Sequence, residues 1–192
     1  MTDRFRPDPG LQGIAPIVQL RLQERAVLID GAWCRGTEAR LAREVLEDAF
    51  AQCGAHEGTV WLLDGDSLVP AVNTGPNADS LLDTFRQPLA RGLIGMVAVT
   101  EQAYCENDVA ADPRRDATLD TMLGVRTAAM MAVPMVVGGA VRGVVSCVQF
   151  HGAATPAGFS PPHLEQLERG VSVAGRLLDI ALLDGLLGLQ GG

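Results

Sequence analysis

Two apolar runs of strand length, Thr-Ala-Ala-Met-Met-Ala-Val-Pro-Met-Val-Val and Ala-Val-Arg-Gly-Val-Val-Ser-Cys-Val-Gln-Phe, occupy residues 127–137 and 140–150 and meet at Gly138-Gly139. A glycine pair accepts positive φ, so the pattern predicts a β-hairpin. Neither run alternates cleanly between apolar and polar residues. Both faces of the pair are therefore expected to be covered, with Met130, Ala132, Val144, Ser146 and Val148 directed to one side or the other and the hairpin central in a sheet. A second hairpin is predicted from Thr59-Val60-Trp61-Leu62-Leu63, the turn Asp64-Gly65-Asp66, and Leu68-Val69-Pro70-Ala71-Val72. Pro70 lacks an N–H and confines its run to a sheet edge or a strand end. Tyr104-Cys105-Glu106 reads as a short strand.

Helical spacing appears at both ends of the chain. Pro16 suits a first turn, and Ile14, Val18, Leu22, Ala26 and Ile29 predict an amphipathic helix over 16–29, followed by a break over 30–36. The next helix has Thr37 as expected N-cap, an apolar stripe of Leu41, Val45, Leu46, Ala49, Phe50 and Cys53, and a stop at Gly54. Arg40 with Glu44 and Arg43 with Glu47 supply its i,i+4 pairs. A turn-rich stretch follows at 73–79, and 80–89 predicts no firm element. Residues 91–99 predict a short, tightly packed helix, and Pro113 a helix running through Leu123. After a loop at 152–158, Ser160-Pro161-Pro162 opens the last helix. Its Leu164, Leu167, Val171, Ala174, Leu178 and Ala181 recur every three and four residues, the period of a helix packed along a partner helix. From Leu177 the apolar surface widens to Leu178, Ile180, Leu182 and Leu183. One stripe is expected to cover the sheet and the other to meet a second subunit, with the three-four stripe as the homodimer interface.

A chain of 192 residues with 47% hydrophobic composition can bury one sizeable core. The expected organisation is a tail and amphipathic helix at 1–35, one α+β domain at 36–185 and a tail at 186–192. The first ten residues lack a secretory apolar stretch, and no apolar run approaches the roughly 20 residues that span a bilayer, so a soluble, cytoplasmic protein with no membrane contact is expected. The formal charge of −8 argues against direct nucleic-acid binding. The four cysteines, Cys34, Cys53, Cys105 and Cys147, form no C-x-x-C pair, and buried free thiols are expected rather than zinc or disulfides. All 15 basic residues are arginine. Without lysine, the phosphate-binding P-loop, Schiff-base chemistry and the kinase strand lysine are excluded.

In order along the chain, Gly92-Leu93-Ile94-Gly95, Asp112-Pro113-Arg114, Gly124-Val125-Arg126-Thr127, Val133-Pro134-Met135, Gly138-Gly139, Gly143-Val144-Val145 and Phe159-Ser160 together resemble the GAF domain, a PAS-related small-molecule sensor module. The resemblance implies an antiparallel sheet of about six strands with N- and C-terminal helices on one face, commonly forming a dimer, and a pocket under short helices and loops on the other. It further implies pocket walls at 85–99, 104–123 and around Met130. Trp61, Phe85, Val97, Tyr104, Met122 and Met130 would be the apolar lining, and Asn107, Asp108, Arg126 and Ser146 the polar contacts. The specialised subfamilies find no match here. The bilin Cys-His pair is absent from 106–123, and the lysine of the cyclic-nucleotide signature is missing. Only Cys105 stands where the methionine-sulfoxide reductases use several cysteines, and His56, His151 and His163 fall on turns or a helix start rather than in a haem pocket.

The expectation is thus a dimeric sensory or regulatory module for an unidentified small molecule, passing its signal through the 16–29 helix or the last helix to a separate output protein. No cofactor, metal site or catalytic residue is assigned. An anionic ligand would meet the helix start near Gly92 with Arg91, Arg114 and Arg126. The alternatives are a GAF fold that serves only dimerisation or docking, and a thiol-dependent reductase using Cys105. Glu106 and Asp108 beside that thiol would raise its pKa, so an enzyme is not expected.

Overall fold

The computed structural model describes residues 9–76, 78–82, 84–152 and 156–187. Residues 1–8 of the expected 1–35 segment, residues 188–192 of the tail expected at 186–192, and the centre of the 152–158 loop lie outside the described residues, while residues 186 and 187 continue the last helix. Six strands, β1 (Glu57–Asp64), β2 (Ser67–Asn73), β3 (Gln87–Pro88), β4 (Tyr104–Glu106), β5 (Thr127–Val137) and β6 (Ala140–Phe150), form one sheet in the order β3-β2-β1-β6-β5-β4. Every pairing is antiparallel. The long hairpin lies in the interior as its apolar runs require, and Gly138 and Gly139 turn it at φ 66° and 81°. Its turn is pinned from outside: the Gly138 N–H donates to Asp179 Oδ1 at 2.7 Å, and Gln19 Nε2 donates to the Gly138 carbonyl at 2.8 Å. Pro70 sits opposite Trp61 beside a register shift that skips Ala71, and β3 covers only the first two residues of β2, Ser67 and Leu68.

One face of the sheet is covered by α2 (Ala15–Ala26), α4 (Arg40–Gln52) and α8 (Pro161–Leu187). Leu46 and Phe50 of α4 and Leu167 and Val171 of α8 pack there with Val60, Met131, Val133 and Val145 from the strands. Leu22, Ala26, Ile29 and Cys34 join the same core, so the segment before residue 36 packs on the domain. Two shorter elements flank α2, namely α1 (Pro9–Gln12) and α3 (Gly31–Arg35). On the opposite face lie α5 (Ala78–Leu81), α6 (Gly92–Thr100) and α7 (Thr118–Leu123). Gly175 lets α8 rest directly on β5, since a Cβ there would stand 2.4 Å from the Val136 carbonyl oxygen. Among the described residues no helix is long and apolar enough to cross a membrane.

Several expected details differ. The break at 30–36 contains α3, because Asp30 caps it by accepting the Trp33 N–H at 2.8 Å. α4 begins at Arg40 with Ala39, not Thr37, at its cap. Its buried stripe is Ala42, Leu46, Ala49 and Phe50, whereas Leu41 is exposed. Arg40 does pair with Glu44 at 2.9 Å, but Arg43 turns to the Cys34 and Gly36 carbonyls at 2.6 and 2.7 Å instead of Glu47. The helix expected from Pro113 starts only at Thr118, because the Asp112 and Asp116 side chains accept backbone N–H groups two residues on and hold local turns.

The stripe expected at a dimer interface is a correction of more weight. Leu167, Val171, Ala174 and Leu178 are buried within the chain, and Leu164 and Ala181 are half-buried along the same side of α8. α8 packs on α4 and β5, so the partner helix that the three-four period requires is supplied by the chain itself. The outward side of α8 carries Val173 and Ile180, both about half exposed.

Leu167→Ala is accordingly expected to lower unfolding stability by about 2–5 kcal/mol in denaturant titration while leaving the subunit count by light scattering unchanged. Dissociation without loss of stability would instead place Leu167 at an intersubunit contact.

Candidate functional site

Alternation along β1 directs Glu57, Thr59, Trp61 and Leu63 to the face away from the long helices. The register extends this face in rows across the sheet. Thr59 lies beside Ser146, Ala132 and Tyr104, and Glu57 lies beside Val148, Met130 and Glu106. Trp61 Nε1 donates to Ser146 Oγ at 2.9 Å in a fully buried bond, and Phe85 meets the indole edge-on with ring centroids 6.2 Å apart. Leu68, Leu81, Ile94, Val97, Ala132 and Val144 complete this second core. The core leaves a cavity of about 60 Å³ against Trp61, Met130, Leu93, Ile94, Val109 and Leu119, with Gln87, Thr127, Arg115, Asp116 and Asp120 as its polar lining. Through Gly92, Arg115 and Asp116 the cavity adjoins an outer cleft of about 550 Å³, which Leu89, Ala90, Arg91, Met96, Val99, Thr100, Pro113 and Arg114 complete.

The segment from α6 into α7 walls both spaces and is built on three aspartates, Asp112 and Asp116 before α7 and Asp120 within it. Asp112 accepts from the Tyr104 hydroxyl at 2.6 Å, from Arg114 Nε at 2.9 Å and Nη2 at 2.7 Å, and from the Arg114 backbone N–H at 2.8 Å. These donors, Arg114 first, hold its carboxyl well below the usual carboxylate range. Because Asp112 takes the Tyr104 hydrogen bond, the phenol is pushed up to about 12. Arg114 also stacks 4.8 Å from the Tyr104 ring centroid. Asp116 accepts from the Thr118 hydroxyl, which with other donors lowers its pKa, and from Gln87 Nε2 at 3.3 Å; Arg91 Nε lies 3.4 Å away. Asp120 accepts from Thr127 N at 3.0 Å and Oγ1 at 2.7 Å and pairs with Arg115 at 3.6 Å. Arg115 Nε is buried without a hydrogen-bond partner.

Another buried carboxyl stands on the same sheet face. Glu57 Oε1 accepts from Asn73 Nδ2 at 2.7 Å, and Asn73 also donates to Thr59 Oγ1 at 2.9 Å. Its Oε2 has no partner, and burial pushes its pKa up.

The expected lining is partly brought together. Trp61 and Met130 face the cavity; Phe85 and Val97 are in the core behind it; Tyr104 anchors Asp112; Ser146 supports Trp61. The other four lie elsewhere. Asn107 bonds the Phe159 carbonyl and N–H at 2.9 and 2.7 Å, pinning the approach to α8. Asp108 is exposed in the loop after β4, and Arg126 is exposed with its carbonyl bonded to His151 N at 2.8 Å. Met122 is exposed because the short α7 turns Leu119 inward. Gln87, Arg115, Asp116, Leu119 and Asp120 lie within the expected walls at 85–99 and 104–123 but were not singled out as contacts. The four-residue spacing of Asp112, Asp116 and Asp120 was the available signal.

All four cysteines are free, and Cys105 packs on the helix-covered side of the sheet, opposite the cavity. Its pKa is raised by burial and then by Glu106, and burial likewise raises Cys34, Cys53 and Cys147. No cluster of three or more His, Cys, Asp or Glu suited to a metal ion occurs among the described residues.

A family model described as the GAF domain matches residues 36–179. No curated protein matches the chain by sequence. Among solved structures, the chain is similar to a GAF domain/HD domain protein from Geobacter sulfurreducens, at 18% identity and a TM-score of 0.62, covering 77% of this chain and 95% of that one. It is similar to the GAF-B domain of DevS from Mycobacterium smegmatis at 18% identity and a TM-score of 0.61, covering 78% and 98%. A type II free methionine-R-sulfoxide reductase from Thermoplasma acidophilum shares the fold at 17% identity and a TM-score of 0.53, covering 72% and 94%. At these identities the likeness is one of fold.

The Asp112 cluster sets an acid dependence. A carboxyl held low in the folded state leaves that state with fewer bound protons than the unfolded chain near pH 4, so its contribution is whole above about pH 4 and is lost as pH falls below it. The melting-temperature advantage of wild type over Asp112→Asn is therefore expected to be largest near neutrality and to shrink steadily below about pH 4. A gap constant across that range would mean that the Asp112 charge contributes nothing.

Proposed function

The chain belongs to the GAF family, and from that membership we propose a sensory or regulatory module whose small-molecule ligand enters between α6 and the 113–120 wall and acts on the helical layer. The observation that carries this reading is the cavity against Trp61 and Met130, which shares Gly92, Arg115 and Asp116 with the outer cleft. An apolar hollow with a few convergent polar groups is the usual form of a small-molecule site. β5 offers a physical route for the signal. Met130 faces the cavity, while Met131, Val133 and Met135 belong to the helix-side core that contains α8. A ligand shifts this arrangement only by binding one state more tightly than another.

The output surface in this reading is the exposed apolar face of the helical layer: Val173 and Ile180 on α8, Leu41 on α4, and Ile17 and Val18 on α2. It would serve a homodimer or a separate output protein in the cytoplasm. The placement of Cys105 away from the cavity supports a non-enzymatic module over a thiol reductase. A docking-only fold is the second reading, favoured by how completely Phe85, Leu81 and Val97 fill the second core.

Native mass spectrometry of freshly purified, never-denatured protein distinguishes these readings. A discrete excess mass that disappears in Leu119→Trp, which fills the cavity, is the expected result; a bare protein that also fails to gain thermal stability from any compound in a metabolite screen would favour docking. For the interface, Ile180→Glu is expected to convert a dimer to a monomer in light scattering with a melting temperature close to wild type at low concentration. A dimer that persists in both Ile180→Glu and Val173→Glu would remove α8 from the interface.

A further inference from the structure

Three aspartate–arginine pairs bound the outer cleft, and all have the same polarity. The side chains of Asp112, Asp116 and Asp120 are 1%, 9% and 14% exposed, whereas those of Arg114, Arg91 and Arg115 are 50%, 65% and 30% exposed. Each carboxylate is more buried than its arginine and is held by Tyr104, by Gln87 and Thr118, or by Thr127, although Asp116 also lines the cleft. Each guanidinium lines the cleft. In a chain of formal charge −8, the three pairs are neutral in sum, and their more exposed members, the three arginines, line a cleft of about 550 Å³ together with one acid, Asp116. Arg91 and Arg115, only 3.4 and 3.6 Å from their aspartates, keep most of their five-donor forks for an anion in front, whereas Arg114 already gives its Nε, Nη1 and Nη2 to Asp112, Met96 and Tyr104. Arg115 makes the case most directly. Its buried Nε has no hydrogen-bond partner, and the residue stands where cleft and cavity join. Gly92 borders both spaces, and their boundary is tight there, since a Cβ would lie 3.2 Å from both Asp116 Cβ and Gln87 Nε2.

We propose that the ligand is an anion with a short apolar end: its carboxylate or phosphate is held among Arg91, Arg114 and Arg115, and its tail enters the cavity against Trp61 and Met130. The inference rests on the pocket being a ligand site. At about 10–15 Å³ for each water-sized group, the cavity of about 60 Å³ takes about four to six heavy atoms, which suits a branched aliphatic tail.

The test is calorimetric titration of the full chain with 3-methylbutanoate, 3-methylbutyl phosphate, 3-methylbutan-1-ol and inorganic phosphate at one fixed salt concentration. At least one of the two amphipathic anions is expected to bind about tenfold or more tightly than the alcohol, and more tightly than inorganic phosphate, as one charge-assisted contact implies. Which of the two binds better separates carboxylate from phosphate as the natural head group. Arg115→Gln and Arg91→Gln, checked for folding by their unliganded melting temperatures, are each expected to weaken the anion by about threefold to tenfold and to leave the alcohol unchanged. Equal binding of alcohol and anions, indifferent to both substitutions, would overturn the anionic ligand while sustaining the pocket. Failure of every probe to bind would overturn the proposal too, and an excess mass in the native spectrum would then still support a ligand of other chemistry.

Discussion

Burial of the β5–β6 hairpin on both faces is the constraint that places everything else. Neither strand has a polar side to give to water: Met131, Val133, Val145 and Cys147 face the long helices, and Ala132, Val144 and Ser146 face the second core. Two layers must therefore be supplied, and the chain does so with α2, α4 and α8 from its two ends on one side and α5, α6 and α7 from its middle on the other. Close approach at glycines makes the layering possible. At Gly143 a Cβ would stand 1.9 Å from the Trp61 carbonyl oxygen, so the β1–β6 pairing admits no side chain there. The turn held by Asp179 and Gln19 ties the hairpin to the first and last long helices at once.

The hairpins, the short β4 and the long terminal helix were legible because each rests on local chemistry: a glycine pair, a run of β-branched residues, a Ser-Pro start. What was not legible depends on which side of an element meets the core. Leu41 and Ala42 of α4 are adjacent, and hydrophobicity favours leucine as the inward residue; packing beneath α8 admits the alanine instead. The same holds for Met122 and Leu119 on α7. In α8, a three-four period identifies a helix packed lengthwise but not whose helix it packs on. Asn107 has the chemistry of a ligand contact, and long-range geometry spends it on the Phe159 backbone. Trp61 and Met130 were expected as lining through the family resemblance, and both line the cavity. The aspartate wall was not, since its meaning depends on Tyr104, Gln87 and Thr127, which approach from other elements.

That wall also explains how a strongly acidic chain can present cationic surface. Burying a carboxylate is costly unless donors surround it, and Asp112 meets the condition with a phenol, a guanidinium and a backbone N–H. Once buried, it fixes its arginine from behind, and the exposed remainder of the pair is positive. Net charge therefore says little about a site of this kind, because the acids that neutralise its arginines are less exposed than the arginines themselves. Glu57 shows the contrasting solution. With one oxygen held by Asn73 and the other unpartnered, it is pushed toward the neutral acid rather than paired with a base.

The two faces of β5 give the proposed signal its mechanical basis. Consecutive residues of a strand point to opposite sides, so Met130 at the cavity and Met131 in the helix-side core are joined by one peptide unit within a hydrogen-bonded ladder. Densely packed layers do not absorb a displacement gradually; they shift between discrete packings. Methionine is unbranched and adaptable, so Met130 can move to admit a tail at low strain. The central part of α8, with Leu167 and Ala174 fully buried, leaves little room for independent adjustment. A movement of β5 would accordingly be passed to α8 as a rigid body, and the outward face bearing Val173 and Ile180 is where it would first be felt.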